Sequence, residues 1–153
     1  MTMESQKILF HFRNLSFNFA FCNCLTLINK MYPLEIVKPM ENELLQAGFE
    51  SLTDEQEVEQ ALKEKEGTML LMVNSVCGCA AAHARPGVRM ALQSDKTPAK
   101  LYTVFAGVDR EATAKAREFL APYPPSSPSI ALFKDGELVH MIERYQIEGR
   151  TAD

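Results

Sequence analysis

The chain has 153 residues, 46% hydrophobic and 24% charged, the balance of one globular domain with an ordinary core and no second large domain. Its 16 basic side chains stand against 20 acidic ones, a net charge of -4, and no dense Lys/Arg cluster could neutralise a row of phosphates, which excludes nucleic acid as a partner. No uninterrupted apolar run approaches the roughly 20 residues that cross a bilayer, so no membrane partner is expected and the chain reads as cytoplasmic.

Residues 1–30 differ from the rest. Phe recurs at 10, 12, 17, 19 and 21, Asn at 14, 18, 23 and 29, and Glu4 is the only acid. Asn18 and Asn23 interrupt the apolar core that a secretory signal needs, and no small-x-small cleavage site follows. Met31 opens a segment that reads like an ordinary domain start. The expectation is therefore an extension over 1–30, either a mis-assigned start or disordered, and a domain over 31–153. On this reading Cys22 and Cys24 are incidental, since a Zn site there would need two more ligands and His11 is the only nearby candidate.

Pro39, Leu44, Leu45 and Gly48 predict a short helix over 39–47 with Pro39 near its first turn. Thr53 and Gln56 form a capping-box pattern for the next helix. Val58, Ala61 and Leu62 give it one apolar stripe, Glu59 and Lys63 can pair, and Gly67 ends it. The run "TMLLMVNS", 68–75, predicts a strand buried on both faces. A helix from Cys79 to Leu92 should follow, kinked at Pro86. "KLYTVFAGV", 100–108, is the next strand, and Asp109 can cap a helix over 110–121 with Ala112, Ala116, Phe119 and Leu120 on one face. After the Pro/Ser loop 122–129, Asp135-Gly136 between "IALF" and "ELVHMI" predicts a hairpin. "QIEGRTAD" reads as the first turn of a closing helix. Met69, Met72, Met90 and Met141 are expected to fill the core, and His140 to lie on the surface.

Four cysteines in two C-x-C pairs are too few and too close for a disulfide-stapled scaffold, and point to reactivity or metal. Cys77-Gly78-Cys79 lies where a strand meets a helix, so the first thiol faces unpaired N–H groups and the positive end of the helix dipole. Such a place favours the thiolate, the attacking species in disulfide exchange. Gly78 between the thiols can take backbone angles that a side chain forbids, and a ring closed across one residue is tight and reducible. The pair then captures a disulfide partner on Cys77 and releases it as Cys79 closes the internal bond. The rival is metal: Cys77, Cys79 and His83 supply three of the four ligands that Zn takes, or could hold an iron–sulfur cluster.

The segments "NSVCGCAAAHARPG", "PPSSPSIALFKDGELVHMIERYQIEGR" and "MYPLEIVKPMENEL" resemble the bacilliredoxin family of the thioredoxin-like superfamily, over residues 31–153. The resemblance implies an α/β, thioredoxin-like fold: a central four-stranded mixed sheet flanked by helices, with extra N-terminal helices. It implies an enzyme that removes bacillithiol from protein mixed disulfides, with bacillithiolated proteins, a low-molecular-weight thiol and a recycling disulfide reductase as partners, no metal, and no cofactor besides bacillithiol as thiol substrate. Cys77 matches the attacking cysteine and Cys79 the second one. Pro128 matches a cis proline facing them, and the backbone at Ser127 could pair with an extended substrate segment. Gly78, Ser127 and Pro128 are thus the expected substrate-binding positions. Two departures stand out: residues 1–30 have no counterpart, and the expected last helix is truncated.

Overall fold

The computed structural model describes residues 32–152. The extension 1–30, with Cys22, Cys24 and His11, lies outside the described residues.

Helix α1 (Leu34–Leu45) begins five residues earlier than Pro39 signals. Pro33 takes the N-cap position, and Pro39 sits inside the helix, where it cannot donate to the carbonyl of Glu35. Both residues are exposed, so water can take the place of that ladder bond. After the two-residue strand β1 (Glu50–Ser51) comes α2 (Glu55–Leu62). Its cap is displaced by one residue from the expected Thr53/Gln56 pair. Asp54 accepts from the Glu57 N–H at 2.8 Å, while the Glu57 carboxylate accepts from the Thr53 N–H at 2.7 Å. Two carboxylates at the positive end of the helix dipole outcompete a hydroxyl and an amide. Val58, Ala61 and Leu62 are buried as expected, and Lys63 pairs with Glu59 at 2.6 Å.

Strand β2 (Thr68–Asn74) lies between β3 (Lys100–Phe105), parallel to it, and β4 (Ser129–Lys134), antiparallel. Strand β5 (Glu137–Ile142) closes the hairpin with β4. The turn between them places Asp135 at φ 53° and Gly136 at φ 83°, two left-handed residues in succession, as a two-residue hairpin with the native strand twist requires. Among the described residues the sheet has five strands, in the order β1-β3-β2-β4-β5. The expected four are all present, and β1 adds a fifth beside β3. Its register, Glu50 opposite Tyr102 and Ser51 opposite Thr103, covers an edge that β3 would otherwise expose.

Because β2 is central, its side chains feed two cores. Met69, Leu71 and Val73 pack with Val58, Leu62, Ala112, Ala116 and Leu120 of α2 and α4 (Arg110–Phe119). Met72 packs with Leu44, Ala84, Val88 and Ile147, from α1, the helix after β2, and α5 (Arg144–Ile147). Asp109 takes the N-cap position of α4. Phe119 is partly buried against the first core. Met69, Met72 and Met141 are buried, but Met90 is 47% exposed and fills no core. His140 is exposed. The α/β arrangement, a mixed sheet with helices packed on it, is the thioredoxin-like architecture expected.

The helix after β2 departs from regularity at the place that matters for the site. Pro86 has no N–H for the carbonyl four residues back, and its ring crowds that carbonyl. Residues Ala80–Ala84 accordingly form a π-helical turn in which the Arg85 N–H reaches the Ala80 carbonyl five residues back, and α3 (Arg85–Ala91) continues from there. One extra residue in a turn rotates the following face by about 100°. Arg85 is carried inward and is 1% exposed.

Candidate active site

Strand β2 ends at Asn74, and after a short bend the helix starts at Gly78. Cys77 stands just before that helix, its carbonyl accepting from the Ala80 and Ala81 N–H groups at 3.1 and 3.2 Å. Its Sγ lies 3.1 Å from Ser75 Oγ, and the Cys79 thiol is near enough for the two sulfurs to shift each other's ionisation. Cys77 is half-buried and Cys79 buried, and both are free thiols.

Burial works against charge on Cys77. Hydrogen bonds from Cys79 and Ser75, the Ala80 N–H and the positive charge of Arg144 together outweigh it, and the Cys77 thiol sits below its ordinary range. Burial pushes the Cys79 thiol up, and its bond to Cys77 and the charge forming there push it further. Thiolate therefore forms more readily at Cys77 than at Cys79, and a thiolate is the species that attacks disulfides.

The bend carrying Cys77 is held from beneath by a buried cation. Arg85 donates to Asn74 Oδ1 and to the Ser75 carbonyl, each at 3.2 Å, and its Nε donates to Glu43 Oε2 of α1 at 2.8 Å. The Ser75 N–H also donates to Asn74 Oδ1, at 2.9 Å. A buried guanidinium with a counter-charge and two further acceptors is satisfied, and it locks the two residues from which the bend departs.

Pro128 follows a cis peptide bond from Ser127, as expected, and is buried. Its loop is fixed by Ser126, whose carbonyl accepts from Ser129 Oγ at 3.0 Å and whose hydroxyl accepts from the Arg144 N–H at 2.8 Å. Ser127 therefore reaches the same cleft as Cys77. This cleft, about 280 Å³, is lined also by Tyr32, Ser75, Arg117 and Arg144. Of the residues chosen on sequence, Cys77 and Ser127 line this cleft, while Cys79 and Pro128 are buried and do not line it.

Gly78 differs from its expected role. Its φ is outside the left-handed region, and a Cβ there would meet nothing within 4 Å. What the glycine leaves is open space beside the thiols, not a backbone that others cannot adopt. Gly78→Ala is accordingly expected to keep the fold and to raise stability by about 0.4–1 kcal/mol, through a less flexible unfolded chain. Urea unfolding checks this, and a loss of more than 1 kcal/mol would show a conformational demand that the backbone does not display.

His83 does not join the cysteines. It lines a separate cavity of about 340 Å³ with Leu70, Val88, Ile130 and Ile147, and its buried Nδ1 has no partner among the described residues. No group of three or more His, Cys, Asp or Glu that could hold a metal occurs among the described residues. The alternative set Cys77, Cys79 and His83 is therefore not assembled among the described residues.

Ser75, Arg144, Arg117 and the Arg85 partners Glu43 and Asn74 were not singled out on sequence; Arg85, with His83, stood out there as a helix cation that could help ionise Cys77, and Arg85 instead anchors the bend from beneath. Ser75, two residues before Cys77, had a local signal as the last polar residue before the thiol. Asn74 adjoins Ser75 at the end of β2, whereas Glu43, Arg117 and Arg144 come from α1, α4 and α5, and proximity in the chain points to none of these three.

Comparison with known proteins matches residues 32–153 to the family described as Disulphide isomerase. A bacilliredoxin of Cytophaga hutchinsonii is 61% identical over 123 residues, 80% of this chain and 90% of the relative. A bacilliredoxin of Halalkalibacterium halodurans is 57% identical over 122 residues, 80% of this chain and 85% of the relative. Among solved structures, oxidized mitochondrial thioredoxin 3 from Saccharomyces cerevisiae aligns with a TM-score of 0.45 at 18% identity, covering 69% of this chain and 86% of that one. Among the described residues no helix is long and apolar enough to cross a membrane. Sequence identity at this level over this length places the chain in the bacilliredoxin family, and it is a disulfide oxidoreductase.

Proposed function

We propose that this enzyme removes bacillithiol from mixed disulfides on protein cysteines, with Cys77 as nucleophile and Cys79 as the resolving thiol. The name that the relatives share motivates the choice of thiol. The observation that carries the reading is the half-buried Cys77, bonded to Ser75 and Cys79 and opening on one cleft with Ser127.

The Cys77 thiolate attacks the bacillithiol sulfur of the mixed disulfide. A new S–S bond joins Cys77 to bacillithiol, and the protein cysteine leaves as thiolate and takes a proton from water. Cys79 then gives up its proton and attacks Cys77 Sγ, forming the internal disulfide and expelling bacillithiol as thiolate. The substrate disulfide gains two electrons and the pair loses two. A separate disulfide reductase returns them, completing the cycle in the cytoplasm. Bacillithiol is a substrate here, and the scheme needs no resident cofactor. In this reading the Ser127 backbone, beside Pro128, pairs with an extended segment of the target, which the opening of Ser127 on the cleft of Cys77 supports.

The test is capture. Cys79→Ser incubated with a bacillithiolated protein should accumulate bacillithiol on Cys77, seen as a mass increase that dithiothreitol reverses. A variant that strips the target without ever carrying the adduct, or that leaves the target untouched, would overturn the assignment.

A further inference from the structure

The cleft beside Cys77 has an unusual charge for this protein. The chain as a whole is acidic at -4, yet among the described residues the cleft lining contains two guanidiniums, Arg117 and Arg144, and no carboxylate. They arrive from different elements, α4 and α5, so the pairing is a property of the fold. Arg117 is half-buried, and its Nε is buried with no hydrogen-bond partner among the described residues. A buried guanidinium N–H without an acceptor is costly, so this side chain is not locked in place by a protein partner at Nε. Arg144 stands between two roles. Its positive charge reaches both sulfurs, and its guanidinium also donates to Glu148 at 3.3 Å, a pair in which both side chains are about half exposed, 47% and 58%. Such an exposed pair is weak and can be exchanged for a ligand carboxylate. Tyr32 adds an aromatic wall: a Cβ on Gly107 would meet its Cε2 at 3.1 Å, so the glycine lets ring and floor approach closely.

We propose that Arg117 and Arg144 bind the carboxylate-bearing end of the small thiol whose sulfur Cys77 attacks, so that the enzyme selects anionic small-thiol disulfides over neutral ones. This rests on the mixed-disulfide reading above. Forked guanidiniums match carboxylates in geometry and charge, and two of them in one cleft hold a dicarboxylate better than a single charge. Apart from the charge by which Arg144 favours the Cys77 thiolate, the two positions act as specificity determinants.

The test uses one neutral peptide cysteine bonded to either mercaptosuccinate, a dicarboxylate, or thioglycerol, which is neutral. The rate of adduct formation on Cys79→Ser is read by mass and divided by the rate of the same disulfide with dithiothreitol, which removes intrinsic reactivity. The normalised preference for mercaptosuccinate should be about tenfold at low salt and shrink several-fold at high salt, where exposed charge contacts are screened. Arg144→Gln and Arg117→Gln should each reduce it several-fold. Because the preference is a ratio, any change in Cys77 ionisation cancels. A ratio near one that ignores salt, with thioglycerol still transferred readily, would overturn the selectivity and leave the redox function standing. If neither disulfide forms an adduct, the redox reading fails and this inference with it. A third substrate, thioglycerol on an acidic peptide, separates the sources of charge. Should it alone be favoured, the arginines read the target protein, and the assignment to the small thiol is wrong.

Discussion

Cys77→Ser abolishes turnover, with a loss on the order of 10³-fold or more, because a serine hydroxyl at neutral pH offers neither the charge nor the polarisable sulfur that attacks a disulfide. The two cysteines should moreover titrate in opposite directions, which divides the reaction into two pH limbs. Cys77 lies below its ordinary range, so capture, which follows the thiolate fraction, rises with pH and levels off below the free-thiol value of about 8.5. Cys79 is pushed up, first by burial. Once Cys77 is tied up in a mixed disulfide, its charge and its hydrogen bond to Cys79 vanish, but the burial persists. Release of the second thiol should therefore rise through a higher pH window than capture. Stopped-flow capture and release rates across pH 5 to 10 measure both limbs. Ser75→Ala removes one hydrogen bond to the thiolate, so its capture limb should move to higher pH while the release limb stays. Capture that levels off only at or above 8.5 would show that burial prevails over the donors around Cys77.

The second large effect concerns stability. Glu43→Ala leaves the guanidinium of Arg85, whose side chain is only 2% exposed, without its counter-charge. Breaking a buried ion pair from one side typically costs about 3–5 kcal/mol. Here Arg85 keeps Asn74 Oδ1 and the Ser75 carbonyl, and Glu43 is 38% exposed in the native protein, so about 2–3 kcal/mol is expected. For a domain of this size that lowers Tm by roughly 8–15 °C. Removing both charges together, as Glu43→Leu with Arg85→Met, should cost less than Glu43→Ala alone, since no buried cation then remains. Urea denaturation of the single and double variants decides it. A single variant as stable as the parent would mean that Arg85 finds another acceptor. The same network supports the bend before Cys77, so the destabilised variant should also capture more slowly at temperatures where it remains folded.

Much of this protein was open to reading from the chain alone. Asp135-Gly136 determined a hairpin because two successive left-handed residues are needed there and few others adopt them. The unbroken apolar run of β2 announced a strand covered on both sides. Cys77-Gly78-Cys79 stood out because a strand-to-helix junction gathers N–H groups whatever surrounds it. Each of these follows from neighbours a few residues apart. The errors arose where competing local signals were close in strength: Asp54 and Glu57 displaced Thr53 and Gln56, and α1 ran through Pro39 because its lost bond faces water. The two residues of β1 were too few to show any period.

What the tertiary structure decided is the company that Cys77 keeps. Arg85 became an internal anchor only when the turn before Pro86 widened and rotated it against Glu43, a partner 42 positions away. His83 lines a separate cavity instead of joining the cysteines. Arg117 and Arg144 meet in the cleft because the last turn of α4 and the first residue of α5 lie there, and no periodicity encodes such a meeting. Local chemistry names a reactive sulfur, because the forces that ionise it act over one turn of helix. Only the folded sheet determines which charges stand across from it, because those forces act through space between elements that the chain keeps far apart.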